Sequence, residues 1–251
     1  MIYKKSPEEI ASMRRGGDIL VAAFERLEGA LRPGVTTQQL DAIAEETITS
    51  AGATPSFKGY RGFPASICSS PNEVIVHGIP GPHVLHEGDI ISIDVGVYFE
   101  GFHVDSAWTF PVGEVTAGAA ELLKVTEASL DAAISRCRPG ARLGDVGHAV
   151  EQTAEQAGFA IVREYVGHGV GRSLHEDPQI PNYGPPGRRE VLAPGMTLAI
   201  EPMVNAGGAG TKALADGWTV VTADGSLSAH FEHTVAITPD GHEVITKRGP
   251  R

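Results

Sequence analysis

The sequence predicts a mixed α/β (α+β) domain made of two related halves, and three observations lead there. Segments with apolar residues at helical spacing alternate with β-branched runs of strand length. A motif that ends one helix and starts the next recurs about halfway along the chain. Carboxylates interrupt or end apolar strands in both copies. With 251 residues, 41% of them apolar, the chain can bury a sizeable core within one domain.

The first helix is expected from about Pro7 to Leu31. Ser6 can cap it, Pro7 suits the first helical position, and Glu9 completes a capping box. Ile10, Met13, Leu20, Phe24, Leu27 and Leu31 then fall on one face, which is the face to bury. A second helix begins near Thr36, with Gln39 as capping-box partner and Leu40, Ile43, Thr47 and Ala51 as the inner stripe, and stops at Gly52. Two more are expected from Ala119 to Cys137 and from Leu143 to Ala157.

Residues 90 to 98, IISIDVGVY, form an apolar strand broken by Asp94, and FHVDSAWTF from Phe102 to Phe110 reads as its partner. A turn at Glu100-Gly101 joins them and sets Asp94 opposite Ala107. Asp105 then projects from the same face as a diagonal neighbour of Asp94, about 7 to 8 Å away.

The repeat supports the two-half reading. Arg32-Pro33-Gly34 returns as Arg138-Pro139-Gly140, and at the same offset Glu45, Thr47 and Ala51-Gly52 match Glu151, Thr153 and Ala157-Gly158. One insertion later Leu85, Gly88, Ile93 and Asp94 align with Leu192, Gly195, Ile200 and Glu201. His103-Val104-Asp105 resembles His230-Phe231-Glu232. Arg-Pro-Gly before a helix is ordinary turn chemistry, but acidic residues matching at both later echoes favour duplication. The halves are expected to face each other about a pseudo-twofold axis, with the carboxylates converging between them.

A net charge of −11 argues against a nucleic-acid partner, which needs clustered Lys and Arg. Cys68 and Cys137 stand far apart with no partner at metal-site spacing, so free thiols in a reducing cytoplasm are expected. The opening MIYKKSPEEIASMRRGG lacks the apolar run of a signal peptide, and no apolar stretch approaches the ~20 residues of a membrane span. No membrane partner is expected, and the chain is expected to act as a monomer.

Asp94 and Asp105 are flanked by Ile90, Ile91, Ile93, Val95 and Val97 on both faces of their strand. A lone pair of carboxylates is common on a solvated sheet face, but a buried sheet makes two like charges expensive without a cation. His168 of GHGVG, Glu201 of AIEPM and Glu232 of HFEHT add further candidates. Four carboxylates and one imidazole form an oxygen-rich set suited to cobalt, manganese or iron(II) at two neighbouring positions, rather than to a thiolate zinc site.

The order Asp94, Asp105, His168, Glu201, Glu232 resembles the ligand order of the pita-bread metallopeptidases, which include methionine aminopeptidases, prolidases and Xaa-Pro aminopeptidases. EVIVHGIP, SIDVGV, REYVGHGVGRSLHEDP, PGMTLAIEPMVN, DGWTV and SLSAHFEHTVAIT narrow the resemblance to type I methionine aminopeptidases in their short bacterial form. The likeness runs from about Ser6 to Thr246. It implies a pita-bread fold, with a central antiparallel sheet covered by helices, in a single catalytic domain over 1–251 whose halves run roughly from 7 to 110 and from 119 to 246. It also implies hydrolytic removal of the initiator methionine from nascent polypeptides, at the ribosome or free of it, with a small second residue preferred. Two divalent ions are implied, Asp94 on one, His168 and Glu201 on the other, and Asp105 and Glu232 bridging.

By the same resemblance Glu201 carries the proton, His175 donates a hydrogen bond to the developing oxyanion, and His77 contacts the scissile amide nitrogen. Tyr60, Phe63, Cys68, His77 and Trp218 form the methionine pocket. Leu174 stands where bacterial relatives often carry Phe, and Phe57 where many carry a second Cys, which bears on pocket shape. The helix expected from Pro7 leaves no room for an amino-terminal zinc-binding extension, and the short spacings around Glu201 leave none for the helical insertion of type II enzymes. Two other readings stay open on the sequence, namely an Xaa-Pro-type peptidase and a non-catalytic pita-bread binding protein.

Overall fold

The computed structural model describes residues 1–249. Helices α1 (Pro7–Ala30), α2 (Thr37–Ser50), α3 (Ala117–Ile134) and α4 (Leu143–Gln156) pack against antiparallel sheets. Ser6 and Glu9 form the capping box of α1, whose Met13, Leu20, Phe24 and Leu27 are buried. Gly16 and Gly17 also face inward. A Cβ on Gly17 would lie 2.4 Å from the Ile245 carbonyl oxygen, so only glycine lets the helix sit this close.

Thr36 and Gln39 cap α2 as expected, but its inner stripe differs from the sequence reading. The buried row is Thr37, Leu40, Ala44 and Ile48; Ile43 and Thr47 lie on the flank and Ala51 is exposed. The helix buries a row spaced by three and then four, and the Thr47 hydroxyl turns back to donate to the Ile43 carbonyl at 2.7 Å. Helix α3 starts two residues before the expected Ala119, because Thr116 caps it by accepting from the Ala119 amide. It ends at Ile134, and the stretch to Cys137 turns through bonds such as Cys137 N to the Ile134 carbonyl.

The strands Ile90–Phe99 and Phe102–Pro111 form a hairpin with Asp94 opposite Ala107 and Gly96 opposite Asp105. Glu100 and Gly101 both take positive φ, 47° and 89°, as a two-residue turn of this hand requires. Ile67–Pro71 pairs along the other edge of Ile90–Phe99 and places Cys68 across from Asp94. A five-stranded sheet runs in the order Gly241–Val244, His233–Thr238, Thr197–Ile200, Gly167–Gly169, Glu176–Ile180. Two small three-stranded sheets are built around Met203–Asn205 and Val220–Thr222.

Residues that echo in the sequence make equivalent bonds. The Gly34 amide donates to the Leu85 carbonyl at 2.8 Å and the Gly140 amide to the Leu192 carbonyl at 2.9 Å. Gly88 reaches Val112 and Gly195 reaches Ile237, both at 2.9 Å. Between the hairpin and the segment around Glu232, hydroxyls replace a regular ladder. Thr234 Oγ1 accepts from the Asp105 amide at 2.9 Å and donates to its carbonyl at 2.8 Å. Thr109 bonds both main-chain groups of His230, and Ser106 donates to the Glu232 carbonyl. One apolar cluster then joins all four helices to both large sheets, from Phe24 and Leu40 through Val95 and Val104 to Leu130, Val150, Leu198 and Val235. No helix among the described residues is long and apolar enough to cross a membrane.

Candidate metal centre

The hairpin register fixes Asp94 and Asp105 on one face, and the hydroxyl seam brings Glu232 to them. The Glu232 amide donates to the Ala107 carbonyl at 2.8 Å, which sets its side chain beside Asp105. His168 lies on Gly167–Gly169, paired with Ala199 of the strand that Glu201 follows. Its Nε2 is 3.5 Å from Glu201 Oε1, and Asn182 Nδ2 donates to the Glu201 carbonyl at 2.9 Å. Asp105, His168 and Glu232 offer ligand atoms that all lie within 4.8 Å of one another.

Asp94 Oδ1, Asp105 Oδ1 and Glu232 Oε1 are buried and have no hydrogen-bond partner. Buried carboxylate oxygens left this way are costly, and a divalent cation satisfies them. Burial first, then the neighbouring carboxylates, pushes Asp94 and Glu232 well above the usual range, as burial and Asp105 do Glu201. Burial raises Asp105 to about 7. His168 is pushed down to about 4 by burial, so its ring is neutral. Its Nδ1–H donates to the Gly169 carbonyl at 2.9 Å, which leaves the Nε2 lone pair facing the carboxylates. The donor set therefore fits hard divalent ions.

Above this acidic floor lies a cavity of about 160 Å³. Its lining includes Asp94, Asp105, His168, Glu201 and Glu232, together with Tyr60, Phe63, Cys68, His77, His175 and Trp218. Phe63 meets Trp218 edge-on at 5.1 Å, and His77 does so with Tyr165 at 5.7 Å. Phe57, Leu174 and Cys68 pack in the same apolar cluster as Phe63. Burial lowers the pKa of His77, and its φ of 60° turns it within a tight loop. His175 stacks on Tyr60 at 5.3 Å and lies 4.2 Å from the His168 ring. Burial and His168 push it down to about 3. Its Nδ1 is 2.9 Å from the Tyr60 hydroxyl.

The sequence reading missed two residues here. Arg61 lines the cavity mouth over the Tyr60 ring in a left-handed conformation that nothing in the sequence signalled. His230 Nε2 lies 3.7 Å from Glu201 Oε2, and burial holds that ring neutral. The echo of HVD in HFE was its only signal. Its counterpart His103 instead bonds the Ser56 hydroxyl and packs on Tyr98.

Residues 11–239 match the model of metallopeptidase family M24. Methionine aminopeptidase 1 of Bacillus subtilis (strain 168) is 55% identical over 247 residues, covering 98% of this chain and 100% of the relative. A crystal structure of methionine aminopeptidase from Thermotoga maritima superposes with a TM-score of 0.97 at 47% identity, covering 99% of this chain and 100% of that one. One from Rickettsia prowazekii also gives 0.97, at 41% identity, covering 98% and 100%.

Proposed function

This chain belongs to metallopeptidase family M24, and on that premise we propose that it is a methionine aminopeptidase. Its four helices over antiparallel sheets form the pita-bread fold of its structural neighbours. The observation that carries the proposal is one cavity with two surfaces. Orphaned carboxylate oxygens and the His168 lone pair form its floor, and an apolar, aromatic wall suited to a thioether side chain rises beside them.

Asp94 would hold one ion, His168 and Glu201 the other, and Asp105 and Glu232 both, with manganese, iron(II) or cobalt fitting the donors. Divalent ions there would supply Lewis acidity and a nucleophile at neutral pH. Glu201, at the edge of the floor beside His168 and His230, passes a proton from the attacking water to the leaving amine nitrogen. His175, oriented by the Tyr60 hydroxyl 2.9 Å from its Nδ1, donates its Nε2–H to the developing oxyanion on this reading. His77, in the cavity lining beside Trp218, would contact the scissile amide. Phe57, Phe63, Cys68 and Leu174 take up the methionine side chain and exclude water. The substrates on this reading are the amino termini of nascent polypeptides in the cytoplasm, with a small residue second.

The test is release of amino acids from Met-Ala-Ser and Ala-Pro peptides by metal-reconstituted protein. Free methionine is expected from the first. Faster cleavage of Ala-Pro peptides overturns the proposed specificity, and metal-loaded protein that releases nothing overturns the proposed activity.

A further inference from the structure

The loop that carries Leu174 and His175 is tied to the segment before α1. Lys5 and Glu176 form an ion pair whose side chains are only 2% and 4% exposed, although Tyr3 and Lys4 beside Lys5 are exposed. Glu176 also accepts from the Ser173 amide at 3.1 Å through Oε1, closing the turn that contains Leu174 and His175. The stem of Lys5 crosses Gly171, where a Cβ would stand 2.2 Å from Lys5 Cε. The Lys5 amide donates to the Gly195 carbonyl at 2.7 Å, and a Cβ on Gly195 would approach the Lys5 carbonyl at 2.8 Å. An outer pair, Glu9 with Arg172, repeats the tie at the other end of the turn. The Gly171 carbonyl accepts from the His103 amide at 2.6 Å, two residues before Asp105 on the hairpin. The loop is thus held on one side by the strand that bears a floor carboxylate and on the other by Lys5.

We infer that the buried Lys5–Glu176 pair is a positioning device for His175, fixing the turn that aims its ring over the floor. The inference rests on the proposed role of His175. A buried pair is weak evidence for stability alone, since an apolar pair often serves as well. What it fixes here is the path of the loop that carries His175, and small displacements of a group that touches the reacting atoms are expensive.

The experiment compares Lys5→Met/Glu176→Gln, which removes both charges together, with the intact enzyme on Met-Ala-Ser, in wild-type and His175→Ala backgrounds. Metal content and the unfolding midpoint are measured alongside. Lys5→Gln/Glu176→Gln, which also removes both charges but keeps a hydrogen bond between the two side chains and an acceptor for the Ser173 amide, is read in the same way should the first double change fold poorly. The inference predicts kcat lower by roughly 10- to 100-fold, with KM changed less than about twofold and both metals retained. In His175→Ala the same substitutions should cost less than about twofold, because the group they position is gone. An equal loss in both backgrounds, a change in KM alone, or wild-type kcat overturns it. An intact enzyme that releases no methionine refutes the proposed function instead, and is read before any variant.

Discussion

Asp105 and Leu174 line the same cavity, but the main chain beneath them is held by different means. Asp105 lies in a ten-residue strand, paired to Gly96 on one side and bonded through both its amide and its carbonyl to Thr234 on the other. Leu174 sits in a turn between Gly171 and Glu176, outside any strand, held by isolated hydrogen bonds to Ser173 and Gly171 and by the ion pairs of Lys5 and Glu9. The floor must hold several buried carboxylates at fixed separations, and a small shift there leaves charge unpaired in a low dielectric. The wall has only to fill space around an apolar side chain, where a lost contact costs little. The candidate metal ligands are therefore built on or beside paired backbone, whereas Leu174 and the histidines His77 and His175 are carried by loops.

The largest effects should separate the two neighbouring histidines. His168→Ala removes a proposed ligand from the floor, and loss of metal together with near-total loss of turnover is expected by metal analysis and kinetics. His175→Ala should keep its metal and its KM while kcat falls roughly 10²- to 10³-fold. Metal loss from His175→Ala would mean that this ring belongs to the floor after all.

Proton linkage offers a second way to break the comparison. Burial raises Asp105 to about 7 and lifts Asp94, Glu201 and Glu232 as well, so the metal-free fold binds more protons than the unfolded chain does. Stability from these groups is full below the ordinary carboxylate range and is lost as pH rises through about 7. His103, His168, His175, His230 and His233, held well below their usual range by burial, act in the opposite sense up to about pH 6.5. Metal-free protein should therefore melt at falling temperature from about pH 6.5 to 7.5, while the gain from added manganese grows. A gain that shrinks with rising pH would contradict this account of the floor.

The smallest effect belongs to the wall. Leu174→Phe should shift the preference for Met-Ala over Leu-Ala peptides by about 1 to 3 kcal/mol in kcat/KM, without altering metal content. A change in metal binding would show that the wall and the floor are not separable.

The sequence made some of this legible and hid the rest for physical reasons. Ser6 with Glu9 and Thr36 with Gln39 announced two helix starts, and Glu100-Gly101 set the register that aligns Asp94 with Asp105. These are local rules, readable over a few residues. The stripe of α2 was misread because Ile43 and Leu40 fit a helical face equally well, and only packing selects Ala44 and Ile48. The stitching of Ser106, Thr109 and Thr234 joins residues more than a hundred positions apart, and hydroxyls in strands carry no sign of it. His230 behind Glu201 and the pairing of Lys5 with Glu176 were unreadable for the same reason. The aromatic wall was named only by resemblance, since Tyr60, Phe63 and Trp218 in loops look like ordinary packing until the fold gathers them.

The central claim is that carboxylates from both halves of the chain hold two ions between them, with Asp105 shared. Metal bound per chain, measured by titration with manganese on wild type and Asp105→Ala, tests it most directly. The account predicts two ions for wild type and weakened binding of both in the variant, with its fold checked by thermal unfolding. Two ions bound equally tightly by the variant would contradict it.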